Sequence, residues 1–192
     1  MATLALWVTY RPLNLPTKAR FPVAFQGVGG VVYLYSGAVW PDILIAERAT
    51  PTTLAMYDEL HNIIRMREDV WVAVLPHEIS HLYDRQTHAL DLDATIPHCL
   101  AFPEAYGFNA PDTVGETGIS GGSLEYFCSK AEVLARFRSY MFELNCPSRA
   151  IGAFGVKGFA VCANTPIFAQ LGVAQAVALA KTYRLSPQGP NR

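Results

Sequence analysis

The chain has 192 residues, 51% of them hydrophobic, and a formal net charge of -1, which is enough length and apolar material for one domain with a sizeable core. Its basic residues are scattered and nearly balanced by acids, which excludes the positive footprint that nucleic-acid binding requires. Lysine is scarce, with only Lys18, Lys130, Lys157 and Lys181, and a surface so poor in solubilising charge is expected where protein assembly partners or a homo-oligomer cover part of it.

The chain reads as one α+β domain, 1–192, in three parts: a sheet region (1–48), a region carrying the chemistry (51–145) and a C-terminal extension (146–192). Short β-branched and aromatic runs at Leu4 to Tyr10, Val23 to Gln26, Val31 to Tyr35 and Ile43 to Ala46 predict a small antiparallel or mixed sheet. Gly27-Val28-Gly29-Gly30 lies between two of these runs, as hairpin-turn glycines would, and lacks the spacing of a phosphate-binding loop. Met1 to Leu6 has no basic flank, so no secretion signal is read and a cytoplasmic origin is expected. On that view Cys99, Cys128, Cys146 and Cys162, which show no Cys-x-x-Cys spacing, are expected as buried free thiols.

After Pro51, the recurrence of Leu54, Tyr57, Leu60, Ile63 and Ile64 at three and four residues predicts an amphipathic helix. A second helix covers 77–86, either starting at His77 after Pro76 or continuing a kinked helix from near Asp69. Residues 89–122 are rich in breakers and form a long excursion, in which Gly118 to Gly122 is either a lid or a plain flexible connection. Ser129 to Leu144 has the clearest helical period, with Val133, Phe137, Tyr140, Met141 and Leu144 on one face. Gly158 to Ala180 carries no charge, but Asn164, Pro166, Gln170 and Gln175 favour a buried apolar helix from Pro166 to Thr182 over a membrane span.

The informative motif is His77-Glu78-Ile79-Ser80-His81. Residues four apart stand one above the other on a helix, so His77 and His81 can aim two imidazoles at one Zn2+, while Glu78 sits where a general base can reach a water at the ion. From the chain's own His and Glu frequencies, about 0.006 chance matches to this pattern are expected. A catalytic zinc needs a third protein ligand. His88 stands seven residues after His81, whereas the metzincin pattern wants its glycine and histidine where Asp84 and Thr87 stand. His98 and Glu104 lie in the irregular excursion. Glu132, opening the periodic helix, is preferred, although Ser129-Lys130-Ala131-Glu132 also spells a capping box that competes for the same carboxylate. Asp84 shares the histidine face and can orient a ligand or pair with a base such as Arg136.

His77-Glu78-x-x-His81-x-x-Asp84, followed by Tyr126-x-x-Ser129-x-x-Glu132-x-x-Ala135-Arg136, resembles the gluzincin metallopeptidase domains of the anthrax lethal factor type and related zincin domains of phage and mobile-element proteins, over residues 51–145. The resemblance implies a zincin-like fold, zinc held by His77, His81 and Glu132, Glu78 as general base and Tyr126 as oxyanion donor, acting on a peptide or protein substrate. Pro76 at the start of the motif helix, and Ser80 in place of the usual small residue, depart from the family pattern. The alternative is a structural or assembly protein, incorporated into a virus particle, in which the zinc site is structural or silent.

Overall fold

A computed structural model describes residues 17–25, 28–40, 53–87, 89, 91–106 and 124–146, together with 174, 177 and 178. Outside these lie the expected strands Leu4 to Tyr10 and Ile43 to Ala46, the candidate ligand His88, the Gly118 to Gly122 stretch and all of the expected C-terminal helix except three helical residues, Ala174, Val177 and Ala178.

The described chain is a mixed four-stranded sheet with helices, consistent with the α+β expectation. Strands β1 (Thr17–Phe25) and β2 (Val28–Tyr35) pair antiparallel with Phe25 opposite Val28. Strand β4 (Ile63–Arg67) runs parallel to β2 and antiparallel to β3 (Ala55–Asp58), giving the order β1-β2-β4-β3.

The helix expected from Leu54 to Ile64 is therefore a β-hairpin. Leu60, counted as part of an apolar helical stripe, is 90% exposed at the hairpin tip. Asp58 builds the turn by accepting from the backbone N–H groups of Leu60 and His61 at 3.1 and 3.3 Å, and Asn62 adopts a positive φ of 52°. Both are habits of Asx residues in turns, and they outweigh a weak helical period. β4 then passes through the middle of the sheet with Ile64 and Met66 fully buried.

Gly29 and Gly30 lie within β2 rather than in the turn. A side chain at Gly30 would collide with Leu82 and with the Asn62 carbonyl, so glycine permits close approach of helix α1 (Trp71–Gln86) to the strand. Gln86, at the end of α1, donates to the Gly29 carbonyl at 2.9 Å and accepts from its N–H at 3.1 Å, pinning the helix to β2. Of the two expected starts for the motif helix, the longer one holds, since α1 runs through Pro76 from Trp71.

Leu75, Ile79 and Leu82 of α1 pack against Phe21, Val23, Val32, Leu34, Ile64 and Met66 of the sheet. The helical period thus buries one face of α1 in the core and leaves His77 and His81 on another. Helix α4 (Lys130–Asn145) adds Phe142 to this core and places Val133 and Phe137 in a second one with Ile96, Cys99, Tyr106 and Cys128. Val177 packs against that second cluster.

The thiol expectation is corrected. Cys99, on the short helix α2 (Pro97–Ala101), is disulfide-bonded to Cys128, which follows the one-turn helix α3 (Leu124–Phe127). Cys146 is disulfide-bonded as well, and no described cysteine is free. Spacing could not show this pairing, because it is the bridge between Thr95 and Ser129 that brings the two segments together. Such bonds belong to oxidising compartments, so the cysteines no longer support a reducing one. Among the described residues, no helix is long and apolar enough to cross a membrane.

Candidate metal centre

His77 and His81 occupy successive turns of α1, and their Nε2 atoms converge to 3.0 Å. Glu132, in the first turn of α4, reaches both histidines: Oε2 lies 3.3 Å from His77 Nε2 and Oε1 lies 3.4 Å from His81 Nε2. Among the described residues this trio is the group of His, Cys, Asp and Glu side chains able to hold a metal ion.

The competition for the Glu132 carboxylate is resolved by what each part of the capping box does. Ser129 caps α4 by accepting from the Glu132 N–H at 3.3 Å, while its own N–H donates to the Tyr126 carbonyl at 3.0 Å. The glutamate side chain does not fold back to the cap and is turned to the histidines.

The segment leading into α4 is held independently. Ile96 donates to the Cys128 carbonyl, Lys130 to that of Ala94 and Ala131 to that of Leu92, at 2.8, 2.9 and 3.1 Å. With the Cys99–Cys128 disulfide, these bonds anchor the backbone immediately before Glu132.

The chemistry of the donor set can be tested by counting protons. If both Nε2 atoms carry hydrogen, Glu132 accepts twice, but two N–H donors then face each other at 3.0 Å. If one is deprotonated, its lone pair faces a carboxylate oxygen. With Glu132 ionised, as its lowered pKa implies, neither state satisfies all three contacts. A cation accepts a lone pair from each group, and one ligand atom from each of the three residues lies within 4.8 Å of the others, close enough to share an ion. Two imidazoles and a carboxylate are a donor set that suits zinc.

Glu78 is buried beside the trio. Burial raises its pKa, the charges of His77 and His81 partly counter that rise, and Glu132 adds to it. A carboxyl tuned upward is better matched to taking a proton near neutral pH. The Glu132 carboxyl would be raised by burial, but hydrogen bonds from His77 and His81 together with their charges hold it well below the usual carboxylate range.

Tyr126 lies on α3 with its side chain 53% exposed, so it is a rim residue rather than a core aromatic. Burial of its hydroxyl end, the charge of Glu132, a hydrogen bond to that carboxylate and the charge of Glu78 all raise its pKa. The phenol thus remains a donor at neutral pH, next to the ligand set.

The other candidates lie elsewhere. His98 Nδ1 is 2.9 Å from the Tyr106 hydroxyl, and Glu104 lies in the 3-10 turn Pro103–Tyr106. Asp84 is buried and paired with Arg138 at 2.7 Å rather than with Arg136. Arg138 went unnoticed in the sequence; its only signal there is its place six residues after Glu132 on the same periodic helix.

Comparison with protein-family models, characterised proteins and solved structures finds no match to this chain.

Proposed function

We propose that this chain is a zinc-dependent peptide hydrolase in which His77, His81 and Glu132 hold the ion. The observation that carries the reading is the three-way convergence of Nε2, Nε2 and carboxylate at 3.0–3.4 Å, which with Glu132 ionised a cation satisfies and protons do not. A buried carboxyl, Glu78, on the histidine helix and the Tyr126 phenol beside that convergence favour hydrolysis over a purely structural ion.

Zinc, when bound, polarises the scissile carbonyl and acidifies the attacking water. Glu78 takes the proton of that water and can return it to the leaving amine. Tyr126 donates its hydroxyl proton in a hydrogen bond to the oxyanion as the carbonyl becomes tetrahedral. Among the described residues β3 ends the sheet, close to α1, and offers backbone groups along which an extended peptide can lie.

Glu78→Gln tests the reading because it preserves shape and removes the base. The variant should keep its zinc and lose cleavage of a peptide library by about 10²-fold or more. Cleavage at the wild-type rate would remove Glu78 from the mechanism. If neither protein cleaves any peptide although both bind zinc, the site serves structure or assembly.

A further inference from the structure

Arg138 is buried on α4 and touches three residues of one face of α1: Nη1 donates to Ser80 Oγ at 2.6 Å and to Asp84 Oδ1 at 2.7 Å, and the guanidinium carbon lies 5.2 Å from the centroid of the Tyr83 ring. Ser80 and Asp84 stand three residues beyond His77 and His81, and Arg138 stands six beyond Glu132. The same two helices are therefore joined at two points, the ligand trio and the Arg138 grip, about 9 Å apart along α4.

We propose that Arg138 is the positioning residue of the metal centre, fixing the slide and rotation of α4 against α1 so that the Glu132 carboxylate meets both imidazoles. Apolar packing of Phe142 against the α1–sheet core holds the helices together but is non-directional, so it does not by itself fix their slide and rotation. Two points define the register, and the ligand atoms tolerate only a few tenths of an ångström around their coordination distances.

The details of the grip favour positioning over stabilisation. A buried ion pair is often no more stabilising than apolar residues of similar size, because both charges leave water. This one is also incomplete: Asp84 Oδ2 and Arg138 Nε are buried without hydrogen-bond partners among the described residues. A pair built for stability would engage the whole guanidinium fork. Instead a single nitrogen is shared between Ser80 and Asp84, which sit on successive turns of α1 and so report both its rotation and its height.

The proposal rests on the metal-centre reading, and the experiment separates the two. Zinc affinity is measured by competition with a chromophoric chelator, alongside the visible spectrum of the cobalt-loaded protein and the melting temperature. The proteins compared are wild type, Arg138→Met, Arg138→Lys and the apolar triple variant Ser80→Ala, Asp84→Leu, Arg138→Met.

Arg138→Met should weaken zinc binding by about 10-fold or more and shift the cobalt bands, and Arg138→Lys should recover part of the loss. The triple variant should melt at or above the wild-type temperature while binding zinc as weakly as Arg138→Met. Zinc binding within about twofold of wild type in the folded triple variant, with unchanged cobalt bands, would overturn the proposal. Failure of the triple variant to fold would make the grip a structural necessity and overturn it as well. A wild-type chain that binds no zinc would instead overturn the metal centre itself.

Discussion

The imidazoles of His77 and His81 stand edge to face, with ring planes 79° apart and centroids 4.7 Å apart, so their Nε2 atoms converge on one point instead of stacking past each other. Four-residue spacing on a helix brings two histidines to one face, and the turned rings point both Nε2 atoms into the space that Glu132 closes from α4.

In the proposed mechanism Tyr126 acts as the oxyanion donor without holding the ion. Tyr126→Phe should retain zinc and the fold while lowering kcat by about 10²–10³-fold, the usual cost of one oxyanion donor. Steady-state kinetics with equilibrium zinc titration checks this. A loss confined to KM would make Tyr126 a substrate-binding residue instead.

The site also couples stability to pH. Burial lowers the His81 pKa, but the hydrogen bond to Glu132 and the charges of Glu78, Glu132 and Asp84 outweigh it, and the net shift is upward. In the metal-free protein the contribution of His81 is therefore fully present below its unfolded value of about 6.5 and is lost as pH rises through its higher folded value. Zinc must displace that proton, so its binding strengthens over the same window. The gap in melting temperature between zinc-loaded and chelator-treated protein should widen as pH rises above about 6.5. A gap that stays constant or narrows would contradict a histidine-bound metal.

The two helices bearing the chemistry were legible in the sequence because their apolar faces and ligands recur at helical spacing. His77, His81 and Glu132 are brought within reach of one another, and Glu78 is buried on the same helix as the two histidines. The stretch after Pro51 was not legible. Leu54, Tyr57, Leu60, Ile63 and Ile64 mimic a helical stripe, whereas Asp58 and Asn62 specify a turn, and the latter signal is local hydrogen bonding rather than period. Arg138 was illegible for a different reason, since its partners on α1 lie more than fifty residues away in sequence.

The Cys99–Cys128 disulfide closes a loop spanning 29 residues just before the Glu132 helix. Its removal in a Cys99→Ala, Cys128→Ala variant should cost about 3–4 kcal/mol by loop entropy, read as a lower midpoint in urea. Zinc affinity should fall too, because the anchored segment 92–96 sets the start of α4. Unchanged affinity in the folded variant would show that the disulfide is not needed to position Glu132.

The most direct test of the metal centre is the metal content of the purified chain, measured by elemental analysis after zinc loading and buffer exchange, for wild type, His81→Ala and Glu132→Ala. About one zinc per chain is expected in the wild type, falling well below one when either ligand is removed. Wild-type protein without bound zinc, or a Glu132→Ala variant that holds zinc as tightly as wild type, would contradict the assignment of His77, His81 and Glu132 as its ligands.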